Sequence, residues 1–472
     1  MPSRARSFFF SPTRDTCPRS SHRDRCSTRS GRSRGRPAEL KLKDLSLDSW
    51  IARDAIPFVL HDDASFDAAV DRVIGVLGDS VRLLGLAEAL HGSEEILEAR
   101  NRLFRRLVAA HGYSAVAIEV SSPQARAMND YVLGLRKQDD PMVQGWLGSG
   151  FGLLDANREL VEWMRVHNAD PSTSTKLHFY GFDVPLGEGG LASPGLVFDI
   201  VFAYLQGIDP DATRRHRERT AALVGETADW ERPAAFYDPA QSIGLSPAAT
   251  ELRIATEDLV TELRIRGPEL IAKSDPLTYA DALHHSQLAL ELLDAHAALA
   301  TAGAYARMLG IRDLIMADNL AHIVSHEGER GKVLAFAASG HLKRGMTQWR
   351  LPPGDEVKEW WPAGSHLSAS FGPRYAVVGM GVGVSEENGI GAPEPGTLEA
   401  ELLGVGGSLF ISTHRGARAP AVNPVTLPVR SGSSRNPTYS PLTADSFDDF
   451  DCIVFFDSTR YPRGSPPLTD WT

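Results

Sequence analysis

The chain has 472 residues, 42% of them apolar and 23% charged, with a formal net charge of −11. That balance is ordinary for a folded globular protein and excludes collagen, coiled coil and wholesale disorder. No run approaches 18 uninterrupted apolar residues, so no membrane helix is expected. Three cysteines (Cys17, Cys26 and Cys452) are too few for a disulfide framework and fit a reducing, cytoplasmic setting.

The charge is unevenly spread. Residues 1–37 hold ten Arg, no Lys and two Asp, a local balance of +8 that leaves −19 on the remainder. The first segment reads as an Arg-rich disordered tail. An acidic body is a poor electrostatic match for nucleic acid. The expected organisation is a catalytic domain over 38–460, with a helical insertion or lid at about 192–330. A short C-terminal tail over 461–472 follows.

In chain order, four apolar runs predict buried strands. These are Val81–Ala87, Ala115–Ile118, Leu177–Phe182 and Val333–Ala337. Further strands are expected at Tyr375–Val384, Ser408–Ser412 and Cys452–Phe456. Amphipathic helices are expected around Ala248–Ile265, Tyr279–Ala300 and Ala304–His326. Pro/Gly/Ser-rich stretches at 386–397 and 418–441 read as mobile loops. Continuous apolar strands alternating with helices predict an α/β fold: a central, mainly parallel sheet covered by helices on both faces.

The predicted strand ends carry the chemistry. The first runs into Glu88 and His91, the second ends at Glu119, the third at Asp183 and the fourth at Ser339-Gly340-His341. Ligands bind beyond the carboxyl ends of strands in open α/β sheets, so these residues form a candidate site. Ser93 is placed as the N-cap of the next helix, with Glu94 and Glu95 in its first turn. Arg100 lies on that helix's apolar stripe, between Ile96 and Leu103. A buried guanidinium needs a partner, and Glu119 is the expected one unless the head snorkels to the edge.

Conventional motifs fail. The G-x-S-x-G at Gly31–Gly35 has no strand before it. Gly379-Met380-Gly381-Val382-Gly383 lacks the spacing of a dinucleotide loop, and no P-loop, H-E-x-x-H or paired C-x-x-C occurs. No cofactor is called for, and no metal ligand is assigned.

The segment Gly85-Leu86-Ala87-Glu88-Ala89-Leu90-His91-Gly92 resembles the G-x-x-E-x-x-H-G element of the erythromycin esterase family. The resemblance spans most of residues 80–460. It continues through Arg100, Ile118-Glu119, Asn129–Gly134, Trp163–Arg165 and Gly181-Phe182-Asp183. Further on it includes Arg312-Asp313 with Met316 and Asn319, Gly364–Leu367 and Gly372–Tyr375. It implies hydrolysis of a macrolactone ester without a serine nucleophile. His91 would act on water with help from Glu88 and Glu119, and Arg100 would hold a carboxylate or stabilise developing charge. His341 completes the catalytic set, Asp183 is expected to contact substrate, and His91 is expected to titrate near 6.5.

One position departs from the family. Its H-N-x-H segment is Ala338-Ser339-Gly340-His341 here, so the second histidine is kept and the first is alanine. The alternative reading is therefore non-hydrolytic acid–base tailoring of a natural product, such as cyclisation, elimination or epimerisation. Metal-dependent chemistry and ligand binding without turnover rank below both. The expected partner is a small molecule, a macrolide or other natural product. Neither nucleic acid nor membrane is expected as a partner, and the chain is expected to be a monomer or weak homo-oligomer.

Overall fold

The computed structural model describes residues 47–465 apart from 149, 188, 351–355, 414–426 and 434. The expected tail over 1–37 lies outside the described residues. So does much of the expected loop at 418–441.

Among the described residues, ten strands occur in chain order. They are β1 (Ala55–Phe58), β2 (Leu83–Glu88), β3 (Tyr113–Ser121), β4 (His178–Asp183), β5 (Lys332–Ala338), β6 (Thr347–Arg350), β7 (Val357–Trp360), β8 (Tyr375–Val384), β9 (Ser408–Ser412) and β10 (Cys452–Ser458). Eight form one sheet in the order β1-β9-β10-β8-β2-β5-β3-β4, and β6 pairs with β7 as a hairpin. Six neighbours, from β10 to β4, run parallel; β9 alone opposes them, since β1 is antiparallel to β9. The α/β expectation holds.

Alternation along these strands sends side chains to two cores. Leu84, Leu86, Val116, Ile118 and Phe336 pack on one face with Phe104, Leu107 and Met164. Leu83, Ala87, Ala115, Ala117 and Ala335 pack on the other with Met316, Leu320 and Leu367. Burial on both faces is why these strands read as unbroken apolar runs. The helical insertion has a core of its own, in which Leu252, Leu259, Leu288 and Leu292 interlock. Its long helices run over Pro247–Ile265, Pro276–Leu299 and Tyr305–Glu327.

The stretch expected as a C-terminal tail is folded as far as it is described. Arg463 pairs with Glu94 (2.6 Å), and its carbonyl accepts from the Asp155 amide (3.1 Å). Ser93 does sit at the N-cap of Glu94–His111, but its hydroxyl makes no capping bond. The Glu94 amide donates instead to the Arg460 carbonyl, at 3.0 Å.

Candidate active site

Parallel pairing puts the ends of β2, β5, β3 and β4 at one edge of the sheet. Glu88 lies directly opposite Ala338, and Ser121 opposite Asp183. The turn after β2 then brings His91 back onto Glu88, with Nδ1 donating to Oε1 at 2.7 Å. Gly92 holds φ +85°, a conformation L side chains rarely adopt, and lets the chain swing into the following helix. Three side chains from far along the chain fix this turn. Thr438 Oγ1 accepts from the His91 amide (2.9 Å), Asn436 donates to the His91 carbonyl (2.8 Å) and Asn388 to the Gly92 carbonyl (3.0 Å). Asn436 also donates to Asn388, at 2.9 Å. The described parts of the two stretches expected as mobile loops thus brace the turn.

On the other side Glu119 is held by three groups. The Ala338 amide donates to its Oε2 (2.8 Å), while Arg312 (3.0 Å) and His341 Nε2 (3.4 Å) face its Oε1. Arg312 grips Asp183 with two bonds, of 2.8 and 2.7 Å. His341 Nδ1 donates to Asp313 at 2.9 Å. Asp313, fully buried at 0% exposure, also accepts from the Trp360 indole (2.6 Å) and the Ala363 amide (2.9 Å). The close approach at that amide needs Gly364, where a Cβ would lie 2.0 Å from the Leu342 carbonyl oxygen.

Glu88, His91, Glu119 and His341 therefore share one site, as their strand ends predict. Asp183 is there too, but is 2% exposed, with both oxygens engaged by Arg312. It positions Arg312 in this structure rather than facing solvent. Arg100 does not pair with Glu119. It is 0% exposed and bonds the side-chain oxygens of Asn101 (2.7 Å) and Asn157 (2.8 Å). Its guanidinium also lies over the Phe336 ring, 4.9 Å from the centroid. Burial pulls its pKa down to about 9, partly offset by Glu88. Arg312 takes the position beside Glu119 instead. The signal for it was present in sequence: like Arg100, it interrupts an apolar helical face, here between Met308 and Met316.

The electrostatics follow from this crowding of acids. Burial disfavours charge on His91, but the carboxylates of Glu88 and Glu119 outweigh it and push the imidazole up to about 9. Burial likewise opposes charging His341, yet Asp313 and Glu119 push it up to about 10. Burial resists ionisation of Glu119, but His341 and then His91 and Arg312 hold it well below the usual carboxylate range. The expectation of an unperturbed His91 is corrected: it sits among fixed anions. His91 keeps 39% of its side-chain surface against 9% for His341, so its ring is the group that meets the solvent side.

A sequence model of one family, described as Erythromycin esterase, matches residues 108–459. The chain belongs to the erythromycin esterase family. The matched span contains Glu119, Asp183, Arg312 and His341 and begins after Glu88, His91 and Arg100. An Escherichia coli protein named erythromycin esterase type II is 22% identical over 345 residues, covering 71% of this chain and 77% of that one. Among solved structures, a Bacillus cereus protein superposes with a TM-score of 0.66 at 18% identity, over 89% of this chain and 98% of the other. An erythromycin esterase mutant in its open conformation gives 0.63 at 16% identity, over 86% and 97%. A succinoglycan biosynthesis protein gives 0.64 at 17%, over 89% and 98%. The erythromycin esterase fold is thus present across most of the chain.

Proposed function

We propose that this family member hydrolyses a small-molecule ester, in the manner of a macrolactone hydrolase, by water activated at His91. The Glu88–His91 hydrogen bond carries the reading. With Nδ1–H held by a carboxylate, Nε2 is left to take a proton from water, and Glu88 stabilises the imidazolium that forms. The hydroxide adds to the ester carbonyl. Collapse of the tetrahedral oxyanion breaks the C–O bond, and the imidazolium returns its proton to the leaving alkoxide. Arg312, His341 and Arg100 supply positive charge around the site. Arg312 uses Nε and Nη2 on Asp183 and Glu119, and its side chain is 24% exposed, which supports assigning it the developing oxyanion in this reading.

The test is incubation with erythromycin and simpler lactones in water enriched in heavy oxygen. The expected product is the ring-opened acid carrying one solvent oxygen, with turnover abolished in His91→Ala. Unchanged turnover in that variant refutes the role of His91. A second reading, acid–base rearrangement without water, is favoured by one observation. Where the family carries an imidazole, position 338 offers a methyl group and gives Glu119 a backbone amide. An isomeric product with no heavy oxygen would decide for it.

A further inference from the structure

The helix Tyr305–Glu327 descends β4 from its carboxyl end. Arg312 meets Asp183, Asn319 donates to the Phe182 carbonyl (2.9 Å) and Glu327 accepts from the Tyr180 hydroxyl (2.7 Å). The turns before Arg312 therefore stand beyond the strand ends, over the candidate site. Tyr305 opens the helix at i−7 from Arg312, so the two share a face, with Tyr305 about 10 Å further out along the axis. Its ring packs against the core of the helical insertion.

A second tyrosine arrives from another part of the insertion. Past Asp183, Leu186 and Leu191 pair to close a loop. That loop leans on the segment Glu231–Pro233. A Cβ on Gly189 would lie 3.1 Å from Pro233 Cγ, and the Ser193 amide donates to Glu231 at 3.1 Å. The 3₁₀ turn Pro233–Phe236 then presents Tyr237 at its C-cap. Tyr237 is 84% exposed, the most exposed large apolar side chain among the described residues. Burial and Tyr237 hold the Tyr305 phenol above its ordinary pKa while the Arg312 charge opposes them, so its hydroxyl lies within electrostatic reach of both. Neither phenol hydroxyl bonds another group among the described residues. An aromatic face that ends in an unengaged hydroxyl suits a ligand of mixed hydrocarbon and oxygen surface.

We propose, resting on the lactone-hydrolysis reading above, that Tyr305 and Tyr237 are specificity-determining residues: they form an aromatic rim that holds the body of a macrocyclic lactone while its ester carbonyl lies at His91 and Arg312. Reach decides the class of substrate. A carbonyl placed at Arg312 leaves about 10 Å to Tyr305, a gap that a short-chain ester does not span and a large ring does. The aromatic faces cover the hydrocarbon edge of the macrocycle, and the phenol hydroxyls meet its oxygens. The rim thus supplies binding energy remote from the bond that breaks.

Binding is read apart from turnover. Full-length His91→Ala protein, which keeps the rim, is titrated with erythromycin by calorimetry, alone and with Tyr305→Leu or Tyr237→Ala added. The expected result is binding that weakens about tenfold with either second change, and less with Tyr305→Phe, which keeps the ring. In protein with His91 intact, Tyr305→Leu and Tyr237→Ala should lower kcat/KM for erythromycin relative to δ-valerolactone by a similar factor. Tyr237 lies in solvent, so Tyr237→Ala tests the rim even where Tyr305→Leu does not fold. No erythromycin binding by the His91→Ala protein overturns the proposal, as does an affinity unchanged by Tyr237→Ala. Binding with this dependence, but no product from protein that retains His91, supports the rim and refutes the hydrolytic reading alone.

Discussion

The Glu88–His91 pair makes the sharpest prediction. Glu88→Gln keeps an oxygen to accept Nδ1–H, so ring orientation and tautomer survive while the negative charge is lost. The rise of His91 from 6.5 to about 9 corresponds, at 1.36 kcal/mol per pH unit, to about 3 kcal/mol of preference for the imidazolium. The ring keeps 39% of its surface, so water screens part of that attraction. About half, ~1.5 kcal/mol, is the contribution expected from Glu88, equivalent to about one pH unit. A base must be neutral to act, so kcat/KM of the wild type should climb with pH, reach half its maximum near 9 and level off above that. In Glu88→Gln the limb should move about one unit toward acid, with a lower plateau because the imidazolium in the transition state loses its carboxylate. The assay is the pH dependence of kcat/KM, paired with NMR titration of the His91 ring. A limb that stays in place, or moves toward alkali, would refute the argument that Glu88 sets the charge state of His91.

Other consequences follow from the same network. Arg312→Met leaves Glu119 and Asp183 without their guanidinium and should lower unfolding free energy by about 3–5 kcal/mol, read from the urea midpoint. Thr438→Val removes the acceptor for the His91 amide. It should cost about 1 kcal/mol of stability and lower kcat while leaving KM nearly unchanged; a pure KM effect would argue against a bracing role. The native state binds the His341 proton more tightly than the unfolded chain does, since its pKa is pushed from 6.5 to about 10. That stabilisation is full below about pH 6.5 and is lost as pH rises through 10. The melting temperature should therefore drop between pH 7 and 10, and drop less in His341→Gln.

The fold was readable where strands are buried on both faces. Tyr375–Val384 and Ser408–Ser412 begin and end where their apolar runs do, because turn residues bound them. The four-residue strands β1, β6 and β7 are too short to show a period and escaped notice. Glu88, Glu119 and His341 were legible because parallel strands deliver their ends to one edge. The partner of Arg100 was not. A helical stripe tells which side is buried, but not which of several neighbours arrives there, and Asn101 and Asn157 satisfy that guanidinium without a carboxylate. Asn436 and Thr438 were invisible for another reason. They lie about 345 residues from the turn they hold, in a stretch whose composition signals only the absence of regular structure.

The bond from the residue 338 amide to Glu119 does not depend on the side chain at that position. Because the main chain makes it, the tether survives any replacement there except proline, which has no N–H to give. A side chain exchanged at this position, an imidazole included, therefore leaves the carboxylate neighbour moored.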